Sequence, residues 1–308
     1  MNNLILVDGN AIMHRAYHAL PPLTSSDGTP TNVIYGFFSM LYKITTSFKP
    51  EYLTIVFDTP KPTFRNKIFK DYQIQRPKIE DNFIVQIPLL KEAIDSAGIY
   101  RLEKDGYEAD DVIGTICHIF KQNPQFKIII VSGDKDIFQL INDNVYVATP
   151  IGGLSDIKIY NAQDVEQKLA VPPNHITDFK ALAGDPSDNY PGAKGIGPVT
   201  ASKLIKQFGN IDNIYKNLNK ISSKKVREIL EKEKENVYLS KKLATILTDA
   251  PIEINIDKMR FTSFNKKLKD FLKKYQINSL VKRIFGEEKK EKKQEETKKP
   301  DQISLFLL

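Results

Sequence analysis

The stretch Lys127–Asp134, KIIIVSGD, sets the fold class, because a run of β-branched residues leads straight into a turn and an aspartate. Such a run indicates a strand that is buried on both faces, as in a parallel sheet. Leu4–Val7 and Leu53–Phe57 have the same character, and helical patterns at Val33–Phe48 and Ala109–Phe120 lie between the runs. Strands that alternate with helices predict an α/β fold with a mostly parallel central sheet flanked by helices.

The second half of the sequence has a different character. Four of its segments have helical patterns: Asp164–Leu169, His175–Leu182, Val199–Phe208 and Lys224–Leu243. We therefore expect an α/β core over residues 1–160 and a mainly helical region over residues 161–285 that packs against it. The segment Gly286–Pro300 contains no large apolar residue, so we expect a disordered charged linker, followed by a short apolar peptide at residues 301–308.

The composition is that of a folded protein. Of its 308 residues, 41% are hydrophobic and 27% are charged, and no apolar run approaches the roughly 20 residues of a membrane helix. The N-terminus has no basic flank, so we expect no signal peptide there. The single cysteine, Cys117, excludes an internal disulfide, and we expect a cytoplasmic protein without membrane contact. The net charge of +7 suits a partner that is a polyanion.

An aspartate follows each of the three predicted strands, at Asp8, Asp58 and Asp134. The carboxyl ends of parallel strands meet at one edge of a sheet, which is where ligands bind in open α/β folds. The three carboxylates should therefore lie close together, repel one another and raise one another's pKa values. Because nothing nearby in the sequence neutralises all of them, divalent cations are the expected partners.

More acids accompany these three. The motif GYEADD supplies Glu108, Asp110 and Asp111 at the start of a helix, and Asp136 lies two residues after Asp134. Taken singly, each acid is explained better by a structural role, such as compensation of the dipole at a helix N-terminus. Taken together, they favour metal binding, because the structural explanation would have to recur on every strand. Oxygen ligands alone indicate Mg²⁺ or Mn²⁺, and so many carboxylates suggest two ions about 4 Å apart, an arrangement that cleaves phosphodiesters.

A glycine-rich segment, Gly192–Ala201 with the sequence GAKGIGPVTA, follows the motif GDPSDN, which adds Asp185 and Asp188. Gly195 and Gly197 permit a tight turn with positive φ angles before the next helix. The backbone amides of such a hairpin can approach a phosphate without side chains in the way. The segment therefore predicts a phosphate-binding hairpin.

Six motifs stand in the chain in a fixed order over residues 4–285: VDGN, VFDTPKPTFR, GYEADD, SGDKD, GDPSDN and GAKGIG. In this order they resemble the 5′ nuclease superfamily, most closely the 5′-3′ exonuclease domain of bacterial DNA polymerase I and its free-standing relatives. The resemblance implies a structure-selective 5′-3′ exonuclease and flap endonuclease that hydrolyses DNA with two metal ions, in primer or flap removal during replication and repair. It also implies a helical arch over about residues 60–105 and a helix-three-turn-helix element that grips duplex DNA through a bound K⁺ ion.

The resemblance also assigns the metal ligands. All nine acidic positions of the family are acidic here: Asp8, Asp58, Glu108, Asp110, Asp111, Asp134, Asp136, Asp185 and Asp188. The implied ligands of one ion are Asp8, Asp58, Glu108 and Asp110, and those of the other ion are Asp134, Asp136 and Asp185. We expect DNA contacts at Arg15, Tyr72, Gln73, Gly192, Lys194, Gly195, Gly197, Thr200 and Lys203.

The arch region carries basic and aromatic residues together, a pattern that suits backbone contacts and base stacking, although a solvated basic helix is the alternative. We expect Arg65, Lys70 and Arg76 to act in catalysis. Where the family has a Tyr-Lys pair, this chain has Tyr72-Gln73. Glutamine supplies no charge, so stabilisation of the transition state should weaken. Lys70 lies three residues earlier on the same predicted helical face, and we expect it to substitute in part for the lysine.

The chain ends in a short apolar peptide that contains Gln302-Ile303-Ser304-Leu305-Phe306. This pentapeptide is similar to the one with which many bacterial replication proteins dock on the sliding clamp. The Gln302 amide would fix its orientation, and Leu305 and Phe306 would fill an apolar pocket. The alternative is a tail that folds back on its own core. Since no polymerase follows, we expect a free-standing, monomeric nuclease that this peptide recruits to replicating DNA.

Two other functions stay open. One is a ribonuclease of the related small nuclease class, which uses fewer carboxylates; the glycine hairpin and the long helical half argue against it. The other is a non-catalytic or weakly catalytic module that binds flap DNA, which Gln73 suggests; the nine acids argue against it. The histidines are scattered, at His14, His18, His118 and His175, so we assign none of them a catalytic role.

Overall fold

The computed structural model describes residues 2–78, 80–152 and 156–286, and a six-stranded sheet lies at its centre. The strands are β1 (Asn2–Asp8), β2 (Tyr52–Phe57), β3 (Tyr100–Glu103), β4 (Phe126–Val131), β5 (Val145–Gly152) and β6 (Asp156–Tyr160). Their order across the sheet is β3-β2-β1-β4-β5-β6, and every neighbouring pair is parallel except β5 and β6. The predicted mostly parallel sheet is confirmed, and the three apolar runs form the adjacent strands β2, β1 and β4.

Helices fill most of the remaining described chain. Those of the first half are α1 (Gly9–Ala19), α2 (Asn32–Phe48), α3 (Phe64–Ile68), α4 (Asp81–Ile84), α5 (Gln86–Ser96) and α6 (Ala109–Phe120). Those of the second half are α7 (Ala162–Leu169), α8 (Ile176–Ala183), α9 (Pro198–Phe208), α10 (Ile211–Lys216), α11 (Lys224–Lys232), α12 (Lys234–Ala244), α13 (Ile256–Met259), α14 (Lys266–Lys274) and α15 (Asn278–Phe285). Short 3-10 helices span Asp136–Leu140, Pro173–His175 and Leu218–Lys220. No helix in the described ranges has the length and apolar character to span a membrane.

Helices cover both faces of the sheet, because alternate residues of a strand point to opposite sides. On one side, Ile5 and Val7 of β1 are buried in a core that includes residues of α1, α2, α5, α14 and α15. On the other side, Leu4 and Leu6 are buried with residues of α6 and of α7 to α12. The helical second half therefore packs against the sheet, and this contact brings its loops to the carboxyl ends of the strands.

The segment Lys224–Leu243 is not a single helix as predicted, but two helices that break at Glu233. Glu233 has φ −95° and ψ 12°, outside the helical range. The hydroxyl of Tyr215 donates to the Leu230 carbonyl at 3.1 Å, an acceptor that the amide of Lys234 would use in a continuous helix. A tertiary hydrogen bond thus competes with the helical one, which the helical pattern of the segment does not reveal.

Residues 69–76, here called the strap, form successive turns rather than the predicted helix. Gln73 has a left-handed backbone with φ 59°, and its amide donates to the Asp188 carbonyl at 3.0 Å. Because this bond to another part of the chain fixes the strap, Lys70 and Gln73 do not share a helical face. The expectation that Lys70 substitutes for the missing lysine from the same face is therefore wrong.

Candidate active site

A crevice of about 290 Å³ opens at the carboxyl ends of β1, β2 and β4. Asp8 is the last residue of β1, Asp58 directly follows β2, and Asp134 lies three residues after β4. All three side chains line the crevice, together with those of Glu108 and Asp110 from the start of α6. The strand order thus brings together the acids that the sequence placed on one edge of the sheet. We call these five residues the inner acids.

Hydrogen bonds fix the orientation of the inner acids. Asp8 accepts from the Ala11 amide at 2.9 Å, which caps α1, and from the Ser132 hydroxyl at 2.7 Å. Asp58 accepts from the Ala109 amide at 2.6 Å. Asp8 therefore caps α1, and the same carboxylate also faces the crevice.

The inner acids are poor in compensating positive charge. Burial raises the pKa of Asp8 to about 7 and that of Glu108 to about 7, and repulsion by neighbouring carboxylates adds to both shifts. Burial also raises the pKa values of Asp58, Asp110 and Asp134, again with repulsion between carboxylates. Burial and mutual repulsion disfavour the charged form of these carboxyl groups, and a bound divalent cation would offset both. Mg²⁺ and Mn²⁺ prefer such oxygen ligands.

Asp111 does not belong to this group, although it was predicted as a metal ligand. Its Oδ1 atom accepts from Arg65 Nη2 and the Leu247 amide, both at 2.9 Å. Its Oδ2 atom accepts from Arg65 Nη1 at 2.8 Å and from the Glu108 amide at 3.1 Å. The side chain is fully buried, and four protein donors occupy its two oxygens. This geometry leaves no lone pair directed at a metal, so the predicted ligand role of Asp111 does not fit this conformation.

Arg65 is likewise placed differently from its predicted catalytic role. Its side chain is buried, and besides Asp111 it donates to the carbonyls of Leu243 and Thr245, both at 2.9 Å. It also lies 3.4 Å from Glu108. With its donors used inside the protein, Arg65 joins α3 to α6 and to the C-terminal end of α12. We therefore assign it a structural role at the wall of the crevice.

A second group of acids lies beside the inner acids. Asp136, Asp185 and Asp188 offer oxygens that lie within 4.8 Å of one another, a spacing that fits one cation. We call these three residues the outer acids. The ammonium of Lys180 contacts the carboxylates of both Asp136 and Asp185, the latter at 2.5 Å.

Protein cations therefore neutralise part of this second group. Burial would raise the pKa of Asp185, but Lys180 and hydrogen bonds from Ser187 lower it below its usual value. Arg76 Nη2 lies 2.7 Å from Asp188 Oδ1. These neutralising cations lie far along the chain from Asp136 and Asp188, at 44 and 112 residues, but only five residues from Asp185.

The strap is attached to the loop that carries Asp188. Arg76 forms an ion pair with Asp188, and the Gln73 amide donates a hydrogen bond to the Asp188 carbonyl. The Asn189 side chain in turn donates to the Asp71 carbonyl at 2.8 Å. Tyr72 is buried, and its hydroxyl lies 3.3 Å from Asp188 Oδ2. A buried ring cannot stack on a nucleic-acid base, so the predicted stacking role of Tyr72 does not fit this conformation. Gln73 and Arg76 line the crevice, whereas Lys70 is exposed and outside it.

The glycine hairpin connects α8 to α9, and its tip is exposed. Lys194, Gly195 and Gly197 are exposed there, and Thr200 and Lys203 follow on α9. Gly192 is different: it is buried, and its amide donates to the Ser240 hydroxyl at 2.9 Å. Its predicted contact with DNA is therefore not possible in this conformation. Its φ of +59° and the approach of the Gly184 amide explain the need for glycine instead.

Some residues of the site were not predicted from the sequence, chiefly Lys180, Ser132 and Asn10. Asn10 stands inside the VDGN motif, and its side chain accepts from the Asp58 amide at 3.0 Å, so the motif itself contained a signal. Lys180 had only a weak one, its place one turn before the end of the helix that precedes GDPSDN. Arg15 lies half-buried on α1.

The C-terminal residues predicted to bind a sliding clamp lie outside the described residues: Gln302, Leu305 and Phe306.

The sequence and the fold are both similar to those of known nucleases. Residues 3–170 match the family described as 5′-3′ exonuclease, N-terminal resolvase-like domain, and residues 171–267 match 5′-3′ exonuclease, C-terminal SAM fold. A 5′-3′ exonuclease of Aquifex aeolicus is 42% identical over 92% of this chain and 96% of its own length. DNA polymerase I of Bacillus subtilis is 39% identical over 96% of this chain but only 33% of its own length. The chain thus spans about a third of the polymerases that it matches.

Among solved structures, a bacteriophage T5 D15 flap endonuclease in complex with DNA and metal ions superposes with a TM-score of 0.67. The match covers 92% of this chain and 98% of that one, at 18% sequence identity. At this identity the match supports the fold, and the acids of the crevice must be judged on their own geometry.

Proposed function

The chain belongs to the 5′-3′ exonuclease family of DNA nucleases, and on this premise we propose that it is a structure-selective 5′-3′ exonuclease and flap endonuclease acting in replication and repair. The observation that carries the proposal is the crevice of inner acids, where five carboxyl groups meet at the ends of three strands and where burial, with added repulsion between carboxylates, raises their pKa values. A substrate phosphate could not approach such a crevice unless cations were bound there first.

The acids fit two divalent cations, Mg²⁺ or Mn²⁺. In this proposal Asp8, Asp58, Glu108 and Asp110 hold one cation, Asp136, Asp185 and Asp188 hold the other, and Asp134 lies at the boundary between the two sets. When bound, the cations would supply Lewis acidity for a water molecule and positive charge for the phosphate. The resemblance implied Asp134 as a ligand of the second cation. We propose Asp188 in its place, because oxygens of Asp136, Asp185 and Asp188 lie within 4.8 Å of one another.

The other residues of the chain orient the substrate. Arg76 is about half exposed at the rim, where its guanidinium can exchange Asp188 for a phosphate of the strand to be cut. The exposed hairpin tip, with Lys194, Gly195 and Gly197, would hold the duplex through backbone amides and a K⁺ ion. Lys203 on α9 would add a phosphate contact on the same side.

Cleavage of a 5′-labelled flap duplex in Mg²⁺ tests the proposal. We expect cutting near the flap junction by the natural protein and its loss on chelation of the metal. Asp134→Ala should abolish cutting, whereas Asp143→Ala, a change of an exposed acid after the 3-10 helix, should leave it unchanged. Cutting that persists in Asp134→Ala would contradict the placement of the site.

A second candidate function is flap binding with little or no cleavage. The observation that favours it is Gln73, which lines the crevice where the resemblance leads us to expect a lysine. In that case the natural protein would bind the flap duplex tightly without cutting it, and Gln73→Lys would restore cutting. Cutting by the natural protein at a rate that Gln73→Lys does not raise would exclude this candidate.

A further inference from the structure

Lys180 lies on α8 with its side chain directed into the space between two of the outer acids. Its carbonyl accepts from the Gly184 amide at 2.8 Å, so the backbone is held at the end of the helix. Its side chain is 16% exposed, and those of Asp136 and Asp185 are 13% and 12% exposed. The ammonium is therefore a partly buried charge that bridges two carboxylates, not a solvated surface lysine.

The inner and outer acids differ in the protein charges that face them. The outer acids are three carboxylates with two cations in direct contact, Lys180 on Asp136 and Asp185 and Arg76 on Asp188. The inner acids are five carboxylates with one cation within 4 Å, Arg65 beside Glu108, a side chain that is already paired with Asp111. From farther away, Arg76 and Arg65 also act on Asp58, and Lys180 and Arg76 act on Asp134. A divalent cation at the inner acids would therefore relieve far more repulsion than one at the outer acids.

We propose that Lys180 is a positioning residue that serves as an internal counter-ion of the outer acids and competes there with the second divalent cation. It holds Asp136 and Asp185 close together without metal, and its ammonium must leave them when a cation binds. The inference rests on the proposed function, since it takes the outer acids as the second cation site.

The chemistry of lysine suits such an exchange. An ammonium on a flexible four-carbon stem is a single point charge that can move away by rotation of its side chain. A guanidinium in the same place would make two parallel bonds to a carboxylate and would be harder to displace. The outer acids should consequently bind the second cation weakly, and their affinity for it should depend on the charge at residue 180.

Manganese binding to the full chain without DNA, followed by electron paramagnetic resonance, tests the proposal. The natural protein should bind one Mn²⁺ tightly and a second one weakly. Lys180→Met, which keeps the length of the side chain and removes the charge, should lower the dissociation constant of the second ion up to about thirtyfold, the effect of a unit charge on a divalent ion at about 4 Å in water. The first dissociation constant should change less, because Lys180 acts on the inner acid Asp134 only from beyond ion-pair distance.

Two further variants make the result specific. Lys232→Met removes a positive charge from an exposed position at the end of α11 and should leave both dissociation constants unchanged. Lys180→Arg keeps the charge, so the second ion should bind as weakly as in the natural protein or more weakly. Lys180→Gln takes the place of the methionine variant should that one fail to fold.

An unchanged or weaker second site in Lys180→Met and Lys180→Gln would overturn the proposal, and so would a tighter second site in Lys180→Arg. Flap cleavage by the natural protein separates this result from the proposed function. If the natural protein cuts DNA but substitution of Lys180 does not change the Mn²⁺ dissociation constants, the counter-ion role is wrong and the proposed nuclease function is unaffected. If the natural protein does not cut, the proposed function fails whatever the manganese titration gives.

Discussion

Arg65 and Asp111 face each other through two parallel hydrogen bonds of 2.8 and 2.9 Å, with both side chains buried and Arg65 at the wall of the crevice. The pair connects α3, at the start of the strap region, to α6, which carries Glu108 and Asp110 toward the crevice. Two backbone carbonyls at the C-terminal end of α12, those of Leu243 and Thr245, complete the contacts of the guanidinium. One ion pair thus fixes the relative position of three chain segments that form the site.

Removal of Arg65 should therefore destabilise the fold rather than only slow the reaction. Arg65→Met leaves the Asp111 carboxylate buried without its partner, which costs about 3–5 kcal/mol in comparable cases. The free energy of unfolding in urea gives the measurement. Arg101→Met, which breaks the more exposed pairs with Asp95 and Glu103, should cost no more than about 1 kcal/mol. Equal losses in the two variants would contradict the structural role of Arg65.

The stability of the metal-free protein should fall as the pH rises from about 5 to 8. The folded pKa values of Asp8 and Glu108 are raised to about 7, so the folded state holds protons that the unfolded state has already released. Their contribution to stability is present at low pH and lost as the pH passes through about 7. Thermal unfolding with a chelator at pH 5.5 and 8 measures the effect.

Addition of metal provides the matched control for this pH dependence. Addition of Mg²⁺ at pH 8 should raise the melting temperature, because the cations replace the lost protons, and Asp8→Asn should flatten the metal-free profile. A metal-free protein that is equally stable at both pH values would contradict the charge excess in the crevice.

Substitution by alanine should destabilise the protein at one glycine of the hairpin and have no effect on stability at another. A Cβ at Gly192 would lie 2.3 Å from the Gly184 amide nitrogen, with a φ of +59°, so Gly192→Ala should cost about 1–3 kcal/mol or more. A Cβ at Gly197 meets nothing within 4 Å, so Gly197→Ala should keep the stability. Unfolding of both variants in urea provides the comparison, and a stable Gly192→Ala protein would show that the hairpin is packed differently.

The sequence of the C-terminal peptide leads to a separate prediction about a protein partner. We propose that Gln302–Leu308 docks on the bacterial sliding clamp, with Leu305 and Phe306 as anchors. Deletion of these residues should abolish binding to the clamp in a titration by calorimetry, while cleavage of free flap DNA stays the same. A replacement of Leu305 and Phe306 by alanine should reproduce the loss. Unchanged affinity of the deletion variant for the clamp would refute the prediction.

The gathering of Asp8, Asp58 and Asp134 could be predicted because it depends on local signals. Each aspartate ends or follows an apolar run, and parallel strands deliver their carboxyl ends to the same edge. The direction in which each acid of the GYEADD motif points could not be predicted so readily. Asp110 faces the crevice and Asp111 faces Arg65, a residue 46 positions away, so tertiary packing separates two neighbours of the same type.

Two of the three counter-charge contacts likewise join distant positions of the chain and could not be predicted from local patterns, whereas Lys180 and Asp185 are five residues apart. Lys180 meets Asp136 across 44 residues, and Arg76 meets Asp188 across 112 residues. The left-handed backbone of Gln73 also depends on a bond to Asp188, so the helical pattern of the strap was misleading. Sequence reasoning identified which residues are acidic and near the site, while the contacts determine which of them remain available to a metal.

Anomalous diffraction from crystals of the full chain soaked in Mn²⁺ tests the central claim, that the crevice acids hold the catalytic metals. We predict a strong peak among Asp8, Asp58, Glu108 and Asp110, and a weaker peak among Asp136, Asp185 and Asp188, with Asp111 still bound to Arg65. The absence of manganese from the crevice, or manganese bound to Asp111, would contradict the account.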